Sequence, residues 1–307
     1  MLANTADLTP ITVFAPAKVN LYLHVVGRRD DGYHLLDSLV VFAAEGAEDG
    51  GDTIAVALAD DLTLAIDGPF AAGLPADRSN LVLQAADALA AAASPAGGDT
   101  YGAAIRLTKR LPLASGIGGG SADAAATLRA LARLWDVRLP PEDLAALALR
   151  LGADLPMCLA SRPAFIGGIG EAIDPPPSLP PCWLVLANPG VSLPTPAVFR
   201  ARSGPFSPPG RFETAPADAA ALAELLSRRG NDLAAPAIGL CPVIGDVLDA
   251  LAGCDGALLS RMSGSGATCF ALFGEARQAT ASAALLRGRR PGWWVTSVRV
   301  AGEDDSV

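Results

Sequence analysis

The sequence predicts an α+β protein of two domains, and three observations carry that expectation. With 307 residues and 51% hydrophobic content, the chain is long enough to bury two cores. Alternating strand patterns fill most of residues 11–66, before a glycine-rich run that opens an alanine-rich helix. After residue 182, behind the proline-rich run 174–181, strand and helix patterns alternate again as in an α+β sandwich. The proline run puts a boundary near residues 160–182, which gives expected domains of 1–165 and 166–307.

Residues 11–26 read as one strand of period two. Ala15, Ala17, Val19, Leu21, Leu23 and Val25 share the face suited to burial, and Lys18, Asn20, Tyr22 and His24 share the other. Pro16 marks an edge or a bulge, and periodicity alone makes the face of Lys18 and Asn20 a solvated one. Residues 27–32 form a turn cluster, and Tyr33 and His34 begin a returning segment toward residues 39–42. Strands are expected at 53–58, 62–66 and 105–108, and a helix at 80–93 with Ser79 or Asn80 near its start.

The stretch 111–129, LPLASGIGGGSADAAATLR, is the most informative. Gly116, Gly118, Gly119 and Gly120 fall within five positions, and Ser121 then reads as an N-cap with Asp123 in the first turn. Leu128, Leu131 and Trp135 give the helix one face to bury. Glycine at a helix start leaves unpaired N–H groups bare, and such amides wrap phosphate. The competing reading is a loop that only lets strand and helix pack closely.

Further along, residues 142–151 read as a helix, Asp154 as an N-cap in a turn before Pro156, and 165–170 as a glycine-weakened strand or hairpin. A strand at 183–187 precedes the Pro-, Gly- and Ser-rich loop 203–216, expected to be mobile. Helices at 217–228, 243–251 and 279–287, a second glycine turn at 261–266, and strands at 267–273 and 294–300 complete the chain.

Composition narrows the function. A net charge of -9 speaks against a nucleic-acid or anionic-membrane surface, so an anionic small ligand would need a local positive site. Five cysteines without paired ligand spacing fit reduced thiols in a cytoplasmic protein. The longest apolar run, 81–93, is too short to span a bilayer and holds Gln84 and Asp87. Of 23 basic residues only Lys18 and Lys109 are lysine. An ammonium is not interchangeable with a guanidinium at a tight oxyanion site, so both are candidate functional residues.

Three motifs in order, Pro16–Leu21, Pro112–Ala126 and Ser263–Ala267, resemble those of the GHMP small-molecule kinases. Asp31-Gly32-Tyr33-His34, Gly152–Pro156, Pro189-Gly190-Val191 and Pro194-Thr195-Pro196 narrow the resemblance to the branch acting on a cytidine-diphosphate-linked polyol. It implies a nucleotide-binding α/β domain followed by a ferredoxin-like α+β sandwich. It also implies ATP-dependent phosphorylation of a methylerythritol 2-hydroxyl in non-mevalonate isoprenoid synthesis, with Mg²⁺ accompanying ATP and its ligands unassigned. Asp154 would accept the hydroxyl proton, and Lys18 would steady Asp154 and the transferring phosphoryl. Asn20, Tyr33, His34, Thr195 and Phe199 would bind substrate. Pro112, Gly116, Gly118, Gly119, Gly120 and Ser121 would hold ATP, with Lys109 and Asn80 near the nucleotide. The alternatives are a relative acting on mevalonate, homoserine or a sugar, and a silent nucleotide-binding protein on the same fold. A dinucleotide oxidoreductase is excluded by the missing third spaced glycine and the missing acidic strand end.

Overall fold

A computed structural model describes residues 9–46, 49–94, 101–302 and 305. Its strands are β1 (Ile11–Pro16), β2 (Lys18–Arg28), β3 (His34–Phe42), β4 (Gly51–Leu58), β5 (Leu62–Asp67) and β6 (Ala103–Thr108), then β7 (Ala164–Gly168), β8 (Ala172–Asp174), β9 (Trp183–Asn188), β10 (Leu259–Met262), β11 (Cys269–Phe273) and β12 (Trp294–Arg299). The helices are α1 (Leu81–Ala93), α2 (Gly119–Leu134), α3 (Pro141–Leu151), α4 (Leu155–Ala160), α5 (Thr195–Ala201), α6 (Ala219–Ser227), α7 (Ala234–Leu240), α8 (Val243–Ala252) and α9 (Ala276–Arg289).

These elements fall into two compact units that interleave along the chain. The first takes Met1–Ala15, Asp52–Arg110 and Gly120–Leu159, and the second Pro16–Gly51, Leu111–Gly119 and Ala160–Val307. The boundary expected near residue 165 lands inside β7, where Phe165 pairs with Leu39 of β3. A ladder that joins residues so far apart in sequence is invisible to a composition shift.

In the first unit the sheet runs β1-β4-β6-β5, with β4 antiparallel and β5 parallel to β6. Pro16 ends β1 at the sheet edge, where a missing N–H costs no ladder bond. The expected single strand 11–26 is therefore two strands, β1 in this sheet and β2 in another, parted at Ala17. Asn80 caps α1 by accepting from the Val82 N–H, and Val82, Leu83, Ala85, Ala86 and Leu89 form its buried face. α1 packs on β5 and α3. Pro141 sits in the first turn of α3, where its absent N–H has no intrahelical partner to lose, and Glu142 and Asp143 suit the dipole.

The second unit holds two sheets, β2-β3-β7-β8 and β10-β11-β9-β12. All three pairings of the latter are antiparallel. α5 to α8 lie in sequence between β9 and β10, and α9 between β11 and β12, which is the β-α-β-β-α-β order of a ferredoxin-like sandwich. Both faces of that sheet are covered. Leu184, Leu186, Phe270 and Leu272 join Val19, Leu21, Leu39, Val41, Leu222 and Leu226 in one core. Val185, Ala187, Cys269 and Ala271 join Ile244, Val247, Leu251, Ala279, Ala283 and Leu286 in the other.

Two expectations fail here. The face of β2 that carries Lys18, Asn20, Tyr22 and His24 is buried, not solvated: none of the four exceeds 7% exposure. Period two sorts residues onto faces but does not say what covers each face. The loop 203–216 is tied down, not mobile. The Ser207 N–H donates to the Val25 carbonyl, the Gly210 N–H to Asp37 Oδ2 (2.6 Å) and Arg211 Nε to Asp37 Oδ1 (3.0 Å). His24 fixes both the loop and the next segment, bonding Pro208 O through Nδ1 and accepting from the Gly230 N–H at Nε2.

Candidate active site

The glycine run is shaped by backbone packing. Gly116 and Gly118 have φ of +76° and +70°, a region that favours glycine. A Cβ on Gly118 would lie 3.3 Å from Lys18 Cβ, so its absence lets Lys18 lie along the loop. The Lys18 N–H donates to the Ile117 carbonyl at 2.9 Å. A Cβ on Gly116 would fall 2.6 Å from the Ser263 carbonyl and 2.8 Å from the Gly266 nitrogen. One on Gly264 would fall 2.7 Å from the Gly116 carbonyl. The two glycine turns thus interlock backbone against backbone, and the Thr268 N–H donates to the Ser115 carbonyl beside them. Ser115 Oγ in turn donates to the Pro112 carbonyl, which closes the start of the loop.

Ser263 links this loop to β2. Its hydroxyl accepts from the Asn20 N–H (3.0 Å) and donates to the Gly116 carbonyl (3.2 Å). Asn20 Nδ2 donates to Ser38 Oγ (2.8 Å), which donates to the Tyr22 carbonyl. Asn20 Oδ1 is buried without a hydrogen-bond partner among the described residues. A buried amide oxygen left open is costly unless something else fills it. Thr195 at the start of α5 shares a 2.8 Å hydroxyl–hydroxyl bond with Ser265 of the same second turn. One turn further along α5, Phe199 stacks on His34, with centroids 5.1 Å apart and planes 24° apart. Burial lowers the His34 pKa below the usual histidine value, and Arg28 and Arg202 lower it further, so the ring is neutral at pH 7. Tyr33 stands 62% exposed at the hairpin tip. Lys18, Asn20, Gly116, Gly118 and Thr195 are therefore joined through Ser263, Ser265 and the loop backbone. His34 of β3 and Phe199 of α5 stack on each other, while Tyr33 makes no ring contact with them among the described residues.

The remaining candidates belong to the first unit. Asn80 has both amide atoms occupied, Oδ1 by the Val82 N–H and Nδ2 by the Pro75 carbonyl (2.8 Å). Ser121 is not an N-cap, because α2 already begins at Gly119 and Ser121 is its third residue. Bare glycine amides rather than a serine side chain thus head the helix. A Cβ on Gly120 would meet no atom within 4 Å, which leaves open space at that turn. Asp123 is likewise no solvated dipole partner: it is buried, 2.6 Å from Lys109 Nζ. Lys109 is 2% exposed, with its ammonium also 2.5 Å from Asp52 Oδ2. Burial works against its charge, but Asp123 and Asp52 outweigh burial and raise its pKa. Burial foremost, then the Asp52 carboxylate, raises the Asp123 pKa well above the ordinary range. Asp52 Oδ1 also accepts from the Arg110 N–H at 2.6 Å. Asp154 immediately precedes α4, and its carbonyl accepts from the Cys158 N–H at 3.2 Å.

Sequence reasoning missed Ser263, Ser38, Asp37 and Asp52. Ser263 lies within the motif Ser263–Ala267, and the others carry no local signal. Among the described residues no group of three or more His, Cys, Asp or Glu is placed to hold a metal ion. A protein-built metal cage therefore does not fit, although Mg²⁺ commonly keeps its waters and rides on substrate phosphates.

Comparison with known proteins decides the family. The description "GHMP kinases N terminal domain" matches residues 80–162, and "GHMP kinases C terminal" matches 214–289. The 4-diphosphocytidyl-2-C-methyl-D-erythritol kinase of Paramagnetospirillum magneticum is 55% identical over 293 residues, covering 95% of this chain and 99% of that one. The chain belongs to the GHMP kinases. The enzyme of the same name from Cereibacter sphaeroides is 54% identical, over 94% of this chain and 99% of its own. A crystal structure of 4-(cytidine 5'-diphospho)-2C-methyl-D-erythritol kinase superposes with a TM-score of 0.72 at 35% identity, covering 95% of this chain and all of that one. This GHMP kinase is thus an ATP-dependent small-molecule kinase, and no helix among its described residues is long and apolar enough to cross a membrane.

Proposed function

We propose that the chain transfers the γ-phosphoryl group of ATP to the 2-hydroxyl of 4-diphosphocytidyl-2-C-methyl-D-erythritol. The observation that carries this reading is the Asn20–Ser263–Gly116 relay, which ties a strand with an unfilled amide acceptor to the glycine loop. In this reading the amides of Gly116–Ser121 hold the triphosphate, and Pro112 and Ser115 shape the loop's start. Asn20 Oδ1 accepts a hydrogen bond from a substrate hydroxyl. Asp154 takes the proton of the attacking hydroxyl as the new O–P bond forms and the bond to ADP breaks. Lys18 offsets the charge spread over the phosphoryl oxygens. Neutral His34 offers one donor and one acceptor to a cytosine edge, with Phe199 and Tyr33 as aromatic surfaces and Thr195 on the facing wall. Lys109, whose ammonium is spent on Asp52 and Asp123, steadies the start of α2 rather than touching phosphate, and Asn80 caps α1 nearby in sequence. Mg²⁺ would arrive on the ATP phosphates and add Lewis-acid charge there. None of the five cysteines is in a disulfide, in keeping with the cytoplasmic location we assign.

The test is Asp154→Asn, assayed by ADP release with the cytidine-linked substrate. Turnover is expected to fall by a factor of about 10²–10⁴ while ATP binding stays within a few-fold. Turnover near wild type would remove Asp154 from the mechanism.

A further inference from the structure

Within the first unit, Arg129 of α2 holds the far end of the short helix that follows Asp154. Its Nη1 donates to the carbonyls of Cys158 (3.3 Å) and Leu159 (3.2 Å), and its Nη2 donates to the Phe14 carbonyl of β1 (2.9 Å). The side chain is mostly buried, and burial lowers the guanidinium pKa to about 10, so it remains charged at neutral pH. α4 has only six residues, too few to hold its own shape in water. The two carbonyls Arg129 binds are among the last of the helix, and a cation there suits the helix dipole.

We propose that Arg129 is a positioning residue for Asp154, clamping α4 to α2 and β1 so that the carboxylate at the start of α4 keeps its place. The helix acts as a lever. From Asp154 to the clamped carbonyls is roughly 7 Å at 1.5 Å per residue, so a tilt of about 10° moves the carboxylate by about 1 Å. A misplacement of that size at a reacting centre costs on the order of 100-fold in rate. One ammonium has neither the planar fork nor the reach to bind three carbonyls from two segments, so lysine is not an adequate substitute.

This inference rests on Asp154 being the proton acceptor, and a double-mutant cycle separates the two claims. Arg129→Lys and Arg129→Met, each alone and combined with Asp154→Asn, are assayed for kcat, for KM of ATP and of the cytidine-linked substrate, and for thermal midpoint. The expected result is a kcat about 10–100-fold lower in both Arg129 variants, with each KM within about 3-fold of wild type. In the Asp154→Asn background, replacing Arg129 is expected to change kcat by less than about 2-fold, because the group it positions is already gone. Full multiplicative loss in the double variants, or unchanged kcat in folded Arg129→Met, overturns the positioning role. Unchanged turnover in Asp154→Asn alone overturns the functional reading instead. If Arg129→Met does not fold, Arg129→Lys carries the same comparison.

Discussion

Replacing Lys109 with methionine removes the ammonium that lies between two buried carboxylates. Asp52 and Asp123 sit 2.5 and 2.6 Å from its ammonium, and the three side chains are at most 4% exposed. Deleting one partner of such a cluster costs about 3–5 kcal/mol, because it leaves buried charge without compensation. Asp123 moderates the loss. Its raised pKa lets it hold a proton that Asp52 can share, which puts Lys109→Met at the low end, about 3 kcal/mol. Asp123→Asn should cost no more than about 1 kcal/mol, since an amide has nearly the shape of the protonated acid and keeps an acceptor for the ammonium. The sign with pH follows from the direction of the shift. The Asp123 pKa is higher in the folded chain than in the unfolded one, so the folded state holds the extra proton. That contribution is fully present below the unfolded carboxylate value and is lost as pH rises through the folded one. Urea and thermal unfolding from pH 5 to 9 are the assays. Lys109→Met should lower the midpoint by roughly 6–12 °C. The pH-dependent part of wild-type stability assigned to Asp123 should vanish in Asp123→Asn. Equal losses in the two variants would refute the reasoning, because they would mean that Asp123 is ionised in the fold.

Two further outcomes are expected. Gly116→Ala puts a Cβ 2.6 Å from the Ser263 carbonyl at φ +76°, so it should destabilise the fold by more than about 1 kcal/mol, whereas Gly120→Ala meets no atom and should leave the thermal midpoint nearly unchanged while raising KM for ATP. Because burial and two arginines lower the His34 pKa, KM for the cytidine-linked substrate should start to rise only at a lower pH than an ordinary histidine would dictate. A rise already at pH 7 would show that the ring carries a proton there.

Much of the fold could be read along the chain, where the controlling forces are local. α1 begins at its asparagine cap, α3 behind its prolines, and β9, β11 and β12 fall on the strands expected at 183–187, 267–273 and 294–300, whereas β10 lies partly in the stretch expected as a glycine turn. What failed was set by partners distant in sequence. The polar face of β2 is buried because Ser38, Ser263 and Asp37 meet it from residues 15 to 243 positions away. Loop 203–216 looked mobile from its prolines and glycines, but one aspartate in β3 holds it. α7 (Ala234–Leu240) was not expected from the sequence; its Pro236 lies in the first turn, where it forfeits no helical bond. At the site, the rarity of lysine drew attention to both Lys18 and Lys109, yet composition cannot distinguish an ammonium beside the glycine loop from one enclosed by two aspartates.

The central claim is tested most directly by offering the purified protein ATP with one acceptor at a time and following ADP release. The account predicts turnover with 4-diphosphocytidyl-2-C-methyl-D-erythritol and only background release with mevalonate, homoserine or galactose. Turnover on one of those three, with none on the cytidine-linked substrate, would contradict it.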